Sequence, residues 1–318
     1  MFILRTLKKN NAFSHTQRSA WLLNMTLITI CLLMLLPIGA TLLISFKQEQ
    51  DVLRKPPVIF PCDTETSAFD LTACRWSIEG YERVILPEPS PTSPTGFVLA
   101  GRMLKIYLPN TLLYATAASV VVVLFSAMAG YAFARYRFKG RDLLMVMVIA
   151  ITSFPLLTNL LALYQMSITI RKALPFLDER IFLVIVYSGF FLPMGIWIAK
   201  GFFDAVPREL EEAAMVDGCS PAGAFRCVTL RVAAPGLTAI FLLTFVGIWN
   251  EFLAGYLLVS KNSLKPAMFG MYDFLGQNLI NAQLVAAACV IVALPIVIVF
   301  LFARKTFFTA MAEGAVKG

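Results

Sequence analysis

Residues Ile181–Arg226 read IFLVIVYSGFFLPMGIWIAKGFFDAVPRELEEAAMVDGCSPAGAFR. The first part, Ile181–Ala199, contains no charged residue, and Lys200 closes it. A helix rises about 1.5 Å per residue, so a hydrocarbon layer of about 30 Å takes about 20 such residues. The run is therefore read as one membrane crossing. The polar stretch after it, from Asp204 to Arg226, reads as two short helices separated by a turn. Pro207 suits a first helical position, where no amide donor is needed. Glu209, Glu211 and Glu212 follow near the positive end of that helix, and Arg208 and Glu212 are spaced to pair on one face. Asp217-Gly218 is a turn and a helix stop. Ser220-Pro221 restarts a helix as cap and first position. Ala213, Ala214, Met215 and Val216 give the first helix a small apolar face. Such a face rests on a membrane surface or docks into a groove of a partner, and physics alone leaves both open.

Working outward, the apolar run has five counterparts: Trp21–Phe46, Ile106–Ala134, Leu143–Ile170, Val232–Ser260 and Phe274–Ala303. Glu251 alone interrupts the fifth in chain order, and the apolar part of the last begins near Leu284. Of the 318 residues, 58% are hydrophobic and 14% charged, against about a quarter charged in a soluble domain. Mean hydropathy is +0.76. The expected fold class is an all-α integral membrane protein with six transmembrane helices, kinked at Pro37, Pro155, Pro193 and Pro295. The first run is too long and too far from the start for a cleavable signal peptide. The expected organisation is an N-terminal tail (1–20), a first crossing (21–46), a long outer loop (47–105) and a core (106–318) that carries the polar loop 204–235.

Basic residues set the orientation. Arg5, Lys8, Lys9 and Arg18 precede the first run. Arg135, Arg137, Lys139 and Arg141 follow the second, and Lys200, Arg208, Arg226 and Arg231 follow the fourth. Arg304, Lys305 and Lys317 follow the last. The short connections on the opposite side hold only Arg171, Lys172, Arg180, Lys261 and Lys265. Positive charge in short loops marks the cytoplasmic side, so both termini and the loop after the fourth run are expected there. The net charge of +8 thus serves orientation and head-group anchoring, not nucleic-acid binding.

The inventory excludes several chemistries. His15 is the single histidine, so neither a histidine triad nor a multi-histidine metal site can form. No H-E-x-x-H, nucleophile elbow or phosphate-cradling G-x-x-x-x-G-K-[ST] occurs. No catalytic residue and no metal ligand is assigned. Cys31 and Cys289 fall in apolar runs, and Cys219 and Cys227, in a cytoplasmic loop, are expected to be reduced. Cys62 and Cys74 share the long outer loop, which is rich in proline (Pro56, Pro57, Pro61, Pro87, Pro89, Pro91, Pro94). They form a disulfide or remain free thiols.

The order Glu212-Ala213-Ala214 with Gly218 four residues beyond resembles the EAA loop of importer permeases that work with a solute-binding protein. In that family the first short helix is a coupling helix, which sits in a cleft of an ATP-hydrolysing subunit. The resemblance implies that Glu211, Glu212, Ala213, Ala214, Asp217 and Gly218 form the ATPase-coupling element. It also implies a second homologous permease subunit, a pair of ATP-binding subunits holding ATP and Mg, an extracytoplasmic solute-binding protein, and a bacterial inner (plasma) membrane location. Trp249-Asn250-Glu251-Phe252, the terminal Gly314–Gly318, Tyr131–Arg135 and the proline-bearing third run are similar to the small permease subunit of the maltose type, in the carbohydrate-uptake branch. The resemblance covers Leu108 to the C-terminus. One departure is Leu230-Arg231 where the family usually has Leu-Pro, although Pro235 remains.

Polar residues in the apolar runs are candidates for a carbohydrate path: Asn159, Tyr164 and Gln165 in the third run, and Trp249, Asn250 and Glu251 in the fifth. Amides, carboxylates and aromatic faces hold hydroxyl-rich ligands. Hydrogen bonding between helices is the plain alternative for each, and an interfacial position is the alternative for Glu251. The connection 261–283 is expected outside, and its Asn278, Asn281 and Gln283 suit contact with a binding protein. The same architecture would serve a non-sugar solute such as a glycerol phosphate. An ion-driven secondary carrier and an intramembrane enzyme are the rival classes, and the second would need a catalytic set that Glu251 alone does not supply.

Overall fold

The structure is a computed structural model that describes residues 3–48, 51–52, 76–86, 102–277 and 282–315, with side chains described for 21–48, 51–52, 76–86, 102–272 and 282–305. Cys62, Cys74, Asn278, Asn281, the terminal 316–318 and the prolines of the outer loop lie outside the described residues. The described residues fall into two compact units, Met1–Glu82 with Asn278–Val290, and Arg83–Gln277 with Ile291–Gly318.

In the first unit, α1 (Ile3–Ser45) is one long helix that passes through Pro37 without breaking. Leu32, Leu33, Met34 and Leu36 on it are all more than half exposed, the surface expected of a helix solvated by lipid. After it, Lys47 and Trp76 form an isolated antiparallel bridge, the sole β pairing among the described residues. Ser45 Oγ and Tyr81 Oη share a 2.7 Å hydrogen bond, which ties the end of α1 to α2 (Glu79–Ile85).

The second unit is built on α3 (Leu108–Arg135), α6 (Glu179–Ala205) and α10 (Ala234–Trp249), which pack against one another. Inside a bilayer apolar side chains gain little by leaving lipid, so close packing of small residues must join the helices. The face of α3 that is buried carries Ala115, Ala118, Ser119, Ser126, Ala127 and Gly130. A Cβ at Gly130 would lie 2.6 Å from Ala199 Cβ and 2.9 Å from Lys200 N, so only glycine permits this approach of α3 and α6. Leu112, Leu113, Leu124, Phe125 and Met128 are exposed on the same helix.

Four described helical segments are long and apolar enough to cross a membrane: Trp21–Ser45, Met103–Arg135, Glu179–Ala205 and Ala282–Lys305. Two bent pairs bring the number to six if each is one span. Two of the expected spans take a different form. The third run, Leu143–Ile170, is two helices, α4 (Arg141–Ile151) and α5 (Leu156–Ala173), bent by 89°. Pro155 is extended at ψ 136° as the N-cap of α5; it lacks an amide hydrogen and disfavours helix just before it. Pro37, Pro193 and Pro295 lie inside continuous helices, so proline alone does not set the break. The fifth run, Val232–Ser260, is also divided. A 69° bend separates Pro221–Val232 from α10. Helix then stops at Trp249, and α11 (Leu253–Leu258) follows a short break. The remaining elements are α12 (Ala267–Gln277) and α13 (Ala282–Ala315), the latter spanning the last apolar run.

Candidate coupling site

α6 runs out at Ala205, and α7 (Arg208–Val216) starts after the extended Val206 and Pro207. Its C-terminus is closed by backbone alone. Gly218 N donates to Met215 O at 3.1 Å and Cys219 N to Ala214 O at 3.0 Å. This is the paired pattern of a Schellman stop, which calls for a left-handed residue. Gly218 supplies it at φ 93°. Ser220 Oγ then accepts from Gly223 N at 3.1 Å, capping α8 (Pro221–Ala224) with Pro221 in its first turn. A π-helical turn, Phe225–Thr229, and α9 (Leu230–Val232) lead to α10. Pro235 in the first turn of α10 restarts the helix after the bend, so the exit is made although Arg231, which is exposed, replaces the family proline.

Glu211 fastens this assembly. Its Oε1 accepts from Arg135 Nε at 2.8 Å and from Thr229 Oγ1 at 2.8 Å. Its Oε2 accepts from Tyr131 Oη at 3.0 Å. Arg135 Nη2 also donates to Val206 O at 2.9 Å. The Tyr131 ring packs at 4.4 Å from Phe225 and 5.8 Å from Phe203, centroid to centroid. One carboxylate therefore joins α7 to the end of α3 and to the π-helical turn before α10. Burial alone would raise the Glu211 carboxyl, but the bonds from Arg135, Thr229 and Tyr131 outweigh it and hold the group below its ordinary range. Arg208 does not pair with Glu212. Its Nη2 reaches the last carbonyls of α3, Arg135 O at 3.4 Å and Ala134 O at 3.5 Å, where a cation also suits the negative helix end.

The six coupling candidates divide between two faces. Glu211 and Ala214 are turned into the bundle, while Glu212, Ala213, Asp217 and Gly218 are exposed. Beside them Leu210, Met215 and Val216 are exposed apolar side chains, Val216 at 87%. Tyr131, Arg135 and Thr229 were not assigned to this site from sequence. The available signal was the i, i+4 spacing of Tyr131 and Arg135, which puts both on one face at the end of an apolar run. Cys219 and Cys227 are free thiols.

The path candidates occupy two places. Asn159, Tyr164 and Gln165 are exposed on α5. Trp249 is fully buried and stacked on Phe245, with centroids 5.5 Å apart. Asn250 is exposed, and its Nδ2 donates to Val246 O at 2.8 Å. Glu251 is half-buried; it accepts from Tyr187 Oη at 2.8 Å and from Ala254 N at 3.1 Å. The second of these bonds joins Glu251 to the first turn of α11. A second buried carboxylate, Glu179, which sequence reasoning passed over, pairs with Arg171 at 2.6 Å and accepts from Ser260 N at 2.9 Å. Gln283 is buried at the start of α13.

Fold and loop together define a class: multi-pass helical membrane proteins in which a short polar helix is fastened through one carboxylate to the end of a long apolar helix. Comparison with known proteins narrows it. Residues 122–311 match the family described as "Binding-protein-dependent transport system inner membrane component". The chain is 33% identical over 250 residues to the maltose/maltodextrin transport system permease protein MalG of Escherichia coli K12, covering 77% of this chain and 79% of that protein. It is 31% identical over 215 residues to the sulfoquinovosyl glycerol transport system permease protein SmoH of Agrobacterium fabrum, covering 68% and 74%. The crystal structure of a bacterial ABC transporter involved in the import of the acidic polysaccharide alginate shares the fold. Its TM-score is 0.65 at 21% identity, covering 92% of this chain and 98% of that chain. The chain belongs to the binding-protein-dependent transport system inner membrane component family and is a multi-pass inner-membrane permease subunit.

Proposed function

We propose that this chain is one of two permease subunits of an ATP-driven, binding-protein-dependent importer for a sugar, oligosaccharide or sugar-like osmolyte. In this reading the chain crosses six times, with each bent pair counted as one, and the basic residues of the short connections support a cytoplasmic side for both termini and for α7, which lies between the fourth and fifth crossings. The organisation is a tail (1–20), a first crossing (21–46), an outer loop (47–105) and a core (106–318). Two ATP-binding subunits hold ATP and Mg below the membrane, and a solute-binding protein delivers cargo from outside. The cargo class follows from relatives named for maltose, maltodextrin, trehalose and sulfoquinovosyl glycerol transport.

The carrying observation is the mounting of α7 on Glu211. Closure of the ATPase pair moves the docked helix by its outer face, where Leu210, Met215 and Val216 are exposed. The Glu211 bonds to Arg135 and Thr229 carry that displacement into α3 and toward α10. A two-state bundle is thereby biased from inward-open to outward-open, a population shift driven by contacts that differ between states. Hydrolysis resets it, and no covalent chemistry falls to this chain. The test is reconstitution of the complete importer in liposomes with binding protein outside and ATP inside. Sugar accumulation that requires ATP and the binding protein is expected. Accumulation by the isolated chain under an ion gradient would instead establish a secondary carrier.

A further inference from the structure

Where α3 gives way to α4, the chain forms a basic cleft that the coupling mechanism does not use. Its volume is about 430 Å³, and Arg137, Phe138, Gly140, Arg141, Asp142 and Leu143 line it. Rings seat the connection on α3. Phe138 lies 5.8 Å from Phe133 and Tyr136 lies 6.3 Å from Tyr131, centroid to centroid. Gly140 turns the chain at φ 83° and, as N-cap, brings no side chain to the first amides of α4. The positive end of that helix is thus left without a side-chain cap beside the cleft. The one carboxylate of the lining, Asp142, pairs with Arg141 Nε at 3.2 Å and is 92% exposed. Lys139, on the same connection, is exposed. Among the described residues, neither Arg137 nor Lys139 pairs with a carboxylate, so the cleft is net positive.

Phosphate oxygens suit such a set, since guanidinium groups bind them in pairs and first-turn helix amides add to the hold. The surroundings select the source of the phosphate. Leu143 lines the cleft, and Val146 and Met147, at i+3 and i+4 from it, continue the same helix face. All three are more than half exposed. A phospholipid supplies both an anionic head for the arginines and acyl chains for this apolar face, whereas a free phosphate leaves the face uncovered. Anionic lipids of the cytoplasmic leaflet draw basic residues that lie beside the membrane. We propose that Arg137, Lys139 and Arg141, with the first turn of α4, bind the phosphodiester head group of an anionic phospholipid of the inner leaflet. The site rests on the cytoplasmic placement of this end of the bundle and is independent of the cargo.

The test places the complete importer in phosphatidylcholine liposomes with a trace of phosphatidylglycerol that carries a photoreactive group on its acyl chain. Cross-linked peptides are then mapped by mass spectrometry. Labelling is expected within 136–147, and it should fall when unlabelled phosphatidylglycerol replaces part of the phosphatidylcholine. Arg137→Gln with Lys139→Gln should lower it about tenfold, while the charge-preserving exchange Arg137→Lys with Lys139→Arg should keep most of it. Raising the salt concentration should lower labelling of the wild-type complex as well, a readout that no folding defect can mimic. Labelling that is absent from the intact importer, or unchanged in the glutamine variant or at high salt, overturns the site. Competition by inorganic phosphate as effective as that by phosphatidylglycerol makes it a free-anion site and overturns the lipid assignment. None of these readouts requires transport, so an importer that carries no sugar would leave them unmoved.

Discussion

Arg135, the last residue of α3, meets Glu211 in α7 at 2.7 Å, with the two side chains only 8% and 12% exposed. Breaking a buried pair by removing one partner strands the other charge, at about 3–5 kcal/mol. Glu211→Ala is therefore expected to lower the thermal stability of the purified complex sharply. Glu212→Ala next to it removes only an exposed side chain and should shift the unfolding midpoint little. Thermal unfolding of the two variants side by side checks this.

Glu211 also sets an acid limit. Its pKa in the folded loop lies below the ordinary carboxylate range. The stability it contributes is therefore fully present above the unfolded-state pKa, about 4.3, and is lost as pH falls through the folded value. Hydrogen exchange of α7 should stay slow at neutral and mildly acidic pH and quicken only below that range. In Glu211→Gln the step should vanish, and exchange should be fast throughout.

At Gly218 the backbone, not space, is limiting. A Cβ there meets nothing within 4 Å, but φ is 93°. Gly218→Ala and Gly218→Leu should therefore destabilise the loop by similar amounts, about 1–2 kcal/mol, and Gly218→Asn by less, since asparagine tolerates left-handed backbone. Exchange protection at the α7 C-terminus reads the order. If Leu were much worse than Ala, a steric neighbour, not the backbone, would set the cost.

The outer face of α7 should fail differently. Met215→Asp with Val216→Asp alters exposed positions and leaves the Glu211 bonds alone. The expected result is normal thermal stability of the chain with loss of co-purifying ATP-binding subunit. Pull-down yield of that subunit is the measurement.

Hydropathy located the apolar runs because it counts composition, and composition decides what enters lipid. It did not locate the breaks at Pro155 and at Asn250–Glu251. Pro37, Pro193 and Pro295 lie in equally apolar sequence and are carried inside helices. At the second break Glu251 bonds the first turn of α11 and a tyrosine from α6, and nothing local announces that tyrosine. The turn grammar of the coupling loop was legible, since Gly218, Ser220 and Pro221 act on near neighbours. Which of two adjacent glutamates faces inward was not. Glu211 is selected by Arg135, 76 positions away, and the Arg208–Glu212 spacing lost to the carbonyls at the end of α3.

The central claim is that the Glu211–Arg135 link carries ATPase motion into the bundle. The most direct measurement is sugar uptake per ATP hydrolysed by the reconstituted importer for Glu211→Gln, Arg135→Gln and the double variant. Each single variant is expected to keep basal ATP hydrolysis and to lose uptake about tenfold or more. The double variant should fall little further, because both changes remove one interaction. Uptake per ATP equal to wild type in the single variants, with the complex intact, would contradict it.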